Sequence, residues 1–208
     1  LALQSTSDKI ATTQGRLSTG LKVSSALDNA ISYFQARALN DRASDLMNLK
    51  DSIDQGVSSV ETAINGLDSI GKLVAQMKGL AMAAKSNSNK EDRSRAAAQF
   101  NDLRNQLDNL ANDSSYKGTN MIKGSPANLK VSFSEDGSST LTVSGIASDA
   151  SGLSMVVAAA NWAADANIDA AINDLDSALS TLRSSAATMG SNAAVLSLRL
   201  DFTTNMIN

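Results

Sequence analysis

The fold of this chain is decided by residues 46–84, which read LMNLKDSIDQGVSSVETAINGLDSIGKLVAQMKGLAMAA. Apolar or small residues recur in this stretch at steps of three or four, which is the spacing of one narrow face of an α-helix. Residues 168–207 repeat the pattern near the other end of the chain. A step that averages about 3.5 residues is the coiled-coil repeat, in which one apolar seam packs against another. The pattern therefore predicts two long helices, whose main seam residues are Ile53, Val60, Leu67, Val74, Ile172, Leu179, Leu182 and Leu196.

Composition narrows the class of protein. The 208 residues are enough for one or two domains, but aromatic residues make up only 3% and the net charge is −3. Small and unbranched apolar side chains suit closely packed helices, and the scattered basic residues predict neither nucleic acid nor an anionic membrane as a partner. The chain contains no run of about 18 apolar residues, which is the length that a membrane-spanning helix needs.

The chain lacks the residue types that most catalytic and metal-binding sites use. The chain has no Cys and no His, which removes disulfides, thiolate catalysis, the common zinc sites and the usual general base near neutral pH. Asp and Glu lie mostly at polar helix positions, as solvated residues do. We therefore expect no enzyme activity, no catalytic residue, no metal and no cofactor.

The remaining helices follow from periodicity and stop signals. An amphipathic helix is predicted over residues 2–18 and is ended by Gly20, after which Ser25 or Asp28 is expected to cap the next helix. That second helix is predicted to continue to Lys85. A third helix is predicted over residues 90–111, antiparallel to the second because the connecting loop is short.

The middle of the chain changes period. Apolar and polar residues alternate over residues 129–133 and 141–143, and Asp136-Gly137 between them is a strong turn signal, so a β-hairpin is predicted. Residues 145–166 are predicted to form a loop that contains a short helix around residues 155–162. The last helix is predicted from about Asn167 to the end of the chain.

Together these elements predict a mainly α fold: an elongated antiparallel helical bundle or coiled-coil rod. It contains three long helices, a short N-terminal helix and a small β-hairpin insertion. The expected organisation is residues 1–126 as the N-terminal half of the helical core, 127–166 as the insertion and 167–208 as the C-terminal helix of the same core.

Several segments carry a family resemblance. Residues 16–30, RLSTGLKVSSALDNA, closely resemble the hallmark segment of bacterial flagellins, and residues 53–67 and 115–120 resemble later segments of that family. Residues 168–183 and 190–202 are similar to the flagellin C-terminal pattern. The resemblance covers nearly all of the chain except about residues 127–166, and it is specific because both ends match in the right order.

The resemblance implies a structural protein. Flagellins fold back so that their N- and C-terminal helices pack together, which implies that the two seams face each other within one chain. They assemble into the extracellular flagellar filament used for motility, after export by the flagellar type III apparatus. The implied partners are other flagellin subunits, an export chaperone and a filament cap.

The resemblance also implies candidate contact residues. In the family, the segment matching residues 18–29 touches neighbouring subunits, so the candidate interface residues are Ser18, Gly20, Leu21, Lys22 and Asp28. The alternative interpretation is that this turn only connects two helices.

Two departures from the family pattern lead to further expectations. Family members continue beyond the positions matching Leu1 and Asn208, and those terminal helices are needed for polymerisation, so the 208 residues are expected to be a non-polymerising core fragment. The positions that match the innate-immune receptor site are Gln76, Leu80 and Gln106. Since glutamines replace the Arg and the acidic residue of recognised flagellins, weak receptor recognition is expected.

Two other functions remain open from the sequence. A hook–filament junction protein shares the terminal helical pattern but is expected to have a longer and different middle. A flagellin-like surface adhesin that binds a polysaccharide or a host receptor is expected to expose aromatic residues on a rigid face. This chain offers few of them.

Overall fold

A computed structural model describes residues 2–207, and among them the secondary structure is mainly helical. Four α-helices are present: α1 (Ala2–Thr19), α2 (Ala30–Ser86), α3 (Lys90–Asp113) and α4 (Asp165–Ile207). Two short strands, β1 (Leu129–Ser132) and β2 (Thr140–Val143), and a 3₁₀ turn (Ala159–Trp162) lie between α3 and α4. The predicted fold class is confirmed in its helices and its hairpin. The predicted end of the last helix includes Asn208, which lies outside the described residues.

The contacts between Cα atoms divide the chain into two compact units. The first unit comprises residues 2–48 with Ile207, and the second comprises residues 49–206. Helix α2 belongs to both, because its first nineteen residues fall in the first unit and the rest in the second. The predicted three-part organisation at residues 126 and 166 stays a prediction.

Helices α2 and α4 are antiparallel in the second unit, as two ion pairs show. Lys78 Nζ lies 2.5 Å from Asp176 Oδ1, and Lys85 Nζ lies 2.6 Å from Asp169 Oδ1. Seven residues forward on α2 therefore correspond to seven residues back on α4. Exposed ion pairs add little stability, so these pairs mark the register while the apolar seam between the helices supplies the burial.

One arginine joins three helix ends in the second unit. Asn89 caps α3, since its Oδ1 accepts a hydrogen bond from Glu91 N–H at 2.8 Å. One turn later, the buried Arg93 donates through Nε to the Asn87 carbonyl and pairs with Asp165 Oδ1 at 2.6 Å. The end of α2, the start of α3 and the start of α4 are thereby held together.

The β-hairpin pairs Leu129 with Val143 and Ser132 with Thr140 in antiparallel register. Its turn lies where the sequence predicts it: Gly137 has a φ of 70°, a left-handed conformation that favours glycine. The hairpin packs closely on α2, because a Cβ on Gly56 would lie only 2.8 Å from Val131 Cγ2. A two-stranded hairpin is marginal alone in water, and this contact supplies the packing it needs.

The segment before α4 is a loop with a short helical turn, as predicted, but the turn is shorter than expected. An extended stretch over residues 155–158 leads into the 3₁₀ turn, where Ala160, Asn161 and Trp162 all have φ between 46° and 58°. Left-handed residues other than glycine cost about 1–2 kcal/mol each, so a helix former such as alanine adopts this geometry only under tertiary constraint. Trp162 supplies that constraint: it is fully buried, with its ring centroid 5.0 Å from that of Phe100.

Candidate functional site

Helix α1 carries an exposed apolar stripe. Leu3, Ile10 and Leu17 recur every seven residues, and all three side chains are more than half exposed. Exposed apolar residues scattered singly are normal on protein surfaces, whereas an aligned set on one helix face marks a contact surface.

The segment between α1 and α2 is a tight turn built on one carboxylate. Helix α1 ends at Thr19, and Gly20 follows with a φ of 69°. Asp28 Oδ2 accepts hydrogen bonds from the backbone N–H of Ser24 and of Ser25, each at 3.1 Å. Hydrogen bonds from Ser24, reinforced by those from Ser25, lower the pKa of Asp28, so the carboxylate stays ionised.

Asp28 does not cap α2, contrary to the prediction for it and for Ser25. The cap is Asn29, whose Oδ1 accepts a hydrogen bond from Ser32 N–H at 3.0 Å. The Asp28 side chain turns back towards the residues that precede it, because four donors there converge on its Oδ2 atom. A cap assignment from sequence alone cannot choose between neighbouring Asp and Asn residues.

All five candidate interface residues are exposed: Ser18, Gly20, Leu21, Lys22 and Asp28. The side chain that stands out most is one the sequence reasoning did not select, Leu27, which is 98% exposed. An apolar residue so exposed in a turn held by hydrogen bonds is available for contact without any rearrangement. The interface assignment itself stays a prediction.

The seam residues lie in the second unit and face its interior. Ile53, Val60, Leu67 and Val74 on α2 and Leu182 and Leu196 on α4 are buried, while Ile172 and Leu179 are half-buried against the same core. Close approach explains one of the α2 glycines near this seam: a Cβ on Gly66 would lie 2.6 Å from Ser114 Oγ and 2.6 Å from Ile122 Cδ1.

A groove of about 480 Å³ runs along the surface between α2 and α4. Its apolar lining residues come from both helices, and the charged residues Asp68, Lys72 and Arg183 also line it. Gly71 lines it, and a Cβ built there would meet nothing within 4 Å. The groove therefore has open space where most helix positions carry a side chain.

The receptor-equivalent positions lie on two helices of the second unit. Gln76 on α2 and Gln106 on α3 are exposed, and Leu80 on α2 is half-buried. Nothing in their surroundings tests the expected weakness of receptor recognition.

Three polar residues of α3 have a role that the sequence reasoning missed. Asp108 Oδ1 accepts from Ala150 N–H at 2.7 Å, and Asn101 Oδ1 accepts from Ala158 N–H at 2.9 Å. Between them, Arg104 Nε donates to the Met155 carbonyl at 3.0 Å. Together they hold residues 150–158 along α3. The only sequence signal was their shared helix face, which a solvated surface has too.

No chemistry beyond packing emerges from the geometry. Across residues 2–207, no three acidic side chains converge into a set that could ligate a metal ion. None of the helices in that range combines the length and the apolar character that crossing a bilayer requires.

The sequence comparisons identify the family. A family model described as the bacterial flagellin N-terminal helical region matches residues 1–127, more than half of the chain. The chain belongs to the bacterial flagellin family. Flagellins are structural proteins and not enzymes, which agrees with the expectation drawn from the residue types.

Relatives within the flagellin family are found in several bacteria. Flagellin FljN of Caulobacter vibrioides is 31% identical over 150 residues, which cover 69% of this chain and 55% of that protein. Flagellin A of Rhizobium meliloti is 29% identical over 147 residues, covering 68% of this chain and 37% of that protein. The chain thus spans about half the length, or less, of these two relatives.

Solved structures share the fold. The crystal structure of Bacillus cereus flagellin aligns with a TM-score of 0.64 at 21% identity, covering 76% of this chain and 93% of that one. A putative flagellar hook-associated protein from Vibrio parahaemolyticus aligns with a TM-score of 0.71 at 13% identity, covering 87% and 95%. At these identities the likeness concerns the fold of this flagellin-family chain alone.

Proposed function

We propose that this chain is a structural subunit of the bacterial flagellar filament. In this proposal, copies polymerise into the extracellular helical filament used for swimming. The observation that carries it is the aligned apolar stripe of α1, continued by Leu21, Leu27, Ile31 and Phe34, all more than half exposed. Burial of such side chains between copies is favourable, and the family match spans this whole region.

The first test is polymerisation of the complete protein. Purified protein mixed with short filament seeds is expected to form long filaments visible by electron microscopy. Failure to elongate seeds at any protein concentration, together with normal swimming of a strain lacking the gene, would contradict the proposal.

The residue-level proposal concerns the turn between α1 and α2. Leu21→Ala and Lys22→Ala in the complete protein are expected to weaken polymerisation or to change the filament form, because both side chains are exposed. Filaments indistinguishable from wild type would favour a turn that only connects two helices.

Further partners follow from the same proposal. An export chaperone and a filament cap are expected to bind the complete protein, and export is expected to use the flagellar type III apparatus. The 208 residues alone are proposed to be a non-polymerising core, and filaments in a purified sample of that chain would contradict this. For Gln76, Leu80 and Gln106, the proposal is weak receptor signalling in a cell-based receptor-activation assay.

The sequence comparisons favour a filament subunit over a hook–filament junction protein. The relative at 31% identity is a flagellin, whereas the likeness to the hook-associated structure is at 13% identity and concerns fold alone. The adhesin alternative has no specific observation in its favour, and glycan-array binding by the folded protein would revive it.

A further inference from the structure

The groove between α2 and α4 is an apolar surface with one open position. Its floor and walls are the half-buried and buried faces of two packed helices, so it exists without any rearrangement. Its apolar and small lining residues are Ile64, Leu67, Gly71, Ala75, Leu179, Leu182 and Ala186.

Gly71 is what leaves the groove open. A glycine inside a helix weakens that helix relative to alanine, and no neighbour lies within 4 Å of where a Cβ would be. Close packing within the chain therefore does not explain the glycine, in contrast to Gly66, where a Cβ would clash. Gly71 leaves space in the groove for a side chain from outside the chain.

The turn between α1 and α2 presents a matching projection. Leu27 is 98% exposed and is followed by Asp28, whose hydrogen bonds from Ser24 and Ser25 all end on Oδ2. The Oδ1 atom of Asp28 is thus left to accept a hydrogen bond from another group. Arg183, which lines the groove, is exposed and forms no ion pair with another described residue.

We propose that Leu27 of one copy inserts into the α2–α4 groove of a neighbouring copy, with Asp28 paired to Arg183. This inference rests on the proposed function and adds the partner surface of the turn. The apolar side chain meets the apolar groove, and the carboxylate beside it meets the guanidinium, which is a favourable pairing for bidentate or single hydrogen bonds.

A second copy of this chain fits the groove because projection and groove occur at different places on one molecule. A contact between two different patches is heterologous, so each copy that docks leaves a free groove or a free projection for the next. Such contacts close into rings or extend into helical filaments. Extension is the outcome that a filament subunit requires.

The first experiment fills the groove in the complete protein. Gly71→Leu is expected to raise the critical concentration for seeded polymerisation about tenfold or more, since burial of one leucine corresponds to roughly ten- to a hundredfold in affinity. The matched control is Gly79→Leu: Gly79 is also on α2, and a Cβ there would also meet nothing within 4 Å, but it does not line the groove. The control is expected to polymerise as wild type does.

Removal of the projection tests the same contact without touching the groove. Leu27→Ala changes a side chain that is almost fully exposed, so the fold of the monomer is expected to be unchanged by circular dichroism. Its critical concentration is expected to rise to a similar extent. Wild-type critical concentrations for both Leu27→Ala and Gly71→Leu would overturn the inference.

Disulfide trapping shows which copy supplies the leucine. The chain has no cysteine, so single-cysteine variants give an unambiguous result. Leu27→Cys copies mixed with mass-tagged Ala75→Cys copies are expected to form heterodimers under oxidation in the polymerised state, and Leu27→Cys mixed with Gly79→Cys is not. Equal cross-linking to positions 75 and 79, or none to position 75, would overturn the inference.

The two proposals fail in different ways. Wild-type protein that does not elongate seeds overturns the filament function, and this contact with it. Wild-type protein that elongates seeds, with groove and projection variants doing so equally well, overturns this contact alone.

Discussion

The two units of the molecule use similar apolar spacing for opposite purposes. In residues 2–48, Leu3, Ile10 and Leu17 recur at seven-residue steps and are exposed, whereas in residues 49–206, Ile53, Val60 and Leu67 recur at seven-residue steps and are buried. Periodicity therefore specifies that a helix has an apolar face, and the partner for that face has to come from elsewhere. The second unit supplies its own partner, and we propose that the first obtains one from other copies.

The largest expected contrast comes from truncating one apolar side chain in each unit. Phe100→Ala removes a fully buried ring that packs on Trp162 and is expected to lower the free energy of unfolding by about 3–5 kcal/mol. Leu17→Ala, at an exposed position, is expected to change it by less than about 0.5 kcal/mol. Urea unfolding followed by circular dichroism measures both. A large loss from Leu17→Ala would show that the first unit also has a core of its own.

Glycine substitutions give the next contrast, with opposite signs. Gly66→Ala places a Cβ against Ser114 and Ile122 and is expected to destabilise the protein by about 1–3 kcal/mol. Gly15→Ala meets nothing within 4 Å and is expected to stabilise helix α1 by about 0.5–1 kcal/mol. Thermal unfolding of the two variants and the wild type distinguishes these effects. Stabilisation by Gly66→Ala would mean that the contact with α2 is looser than described.

Two asparagine caps test whether the units unfold together. Asn89→Ala, at the start of α3, is expected to lower global stability by about 1 kcal/mol. Asn29→Ala, at the start of α2, is expected to raise amide hydrogen exchange only near residues 30–34, because the side chains around that turn are mostly exposed. Hydrogen exchange followed by mass spectrometry measures both the global effect of Asn89→Ala and the local effect of Asn29→Ala. Equal global effects would show one cooperative unit.

The smallest expected effect is a loss of stability at acidic pH. Hydrogen bonds from Ser134 and Ser138 lower the pKa of Asp136 from 3.8 to about 2, and those from Ser24 and Ser25 lower the pKa of Asp28. A depressed carboxyl pKa contributes stability above its unfolded value, and this contribution is lost as the pH falls towards the folded value. The Asp136 contribution should therefore disappear between about pH 4 and pH 2. In the Asp136→Asn variant, the NMR signals of the hairpin amides should depend less on pH in this range. An unchanged pH dependence of these signals would show that it arises from other groups.

Much of the secondary structure could be predicted because its signals are local. Gly20 and the Asp136-Gly137 pair act through backbone conformations that glycine adopts readily, and both turns form where they were expected. The extended conformation of residues 155–158 and the left-handed conformation of residues 160–162 could not be predicted. Alanines in this segment favour a helix, but hydrogen bonds from Arg104 and Asn101 on α3, 51 and 57 positions away, hold residues 155–158 extended.

The candidate site also has a part that the sequence predicted and a part that only the structure shows. Ser18, Gly20, Leu21, Lys22 and Asp28 were selected from a family motif, and all of them lie exposed. Leu27 and the groove lined by Gly71 were not selected, because exposure and open space are properties of the folded chain. Of the four glycines inside α2, sequence alone could not tell Gly66, where a side chain clashes, from Gly71, where it does not.

The sequence by itself determined the helical faces, the hairpin turn and membership of the flagellin family, because periodicity, turn chemistry and motifs are written in consecutive residues. Only the tertiary structure decided which apolar faces are covered, with Leu67 buried and Leu17 exposed. It also decided that Trp162 enforces a left-handed turn before α4 and that Gly71 leaves a groove open. The physical reason is that burial and close packing depend on neighbours that are remote in the chain, and the local spacing of residues does not identify those neighbours.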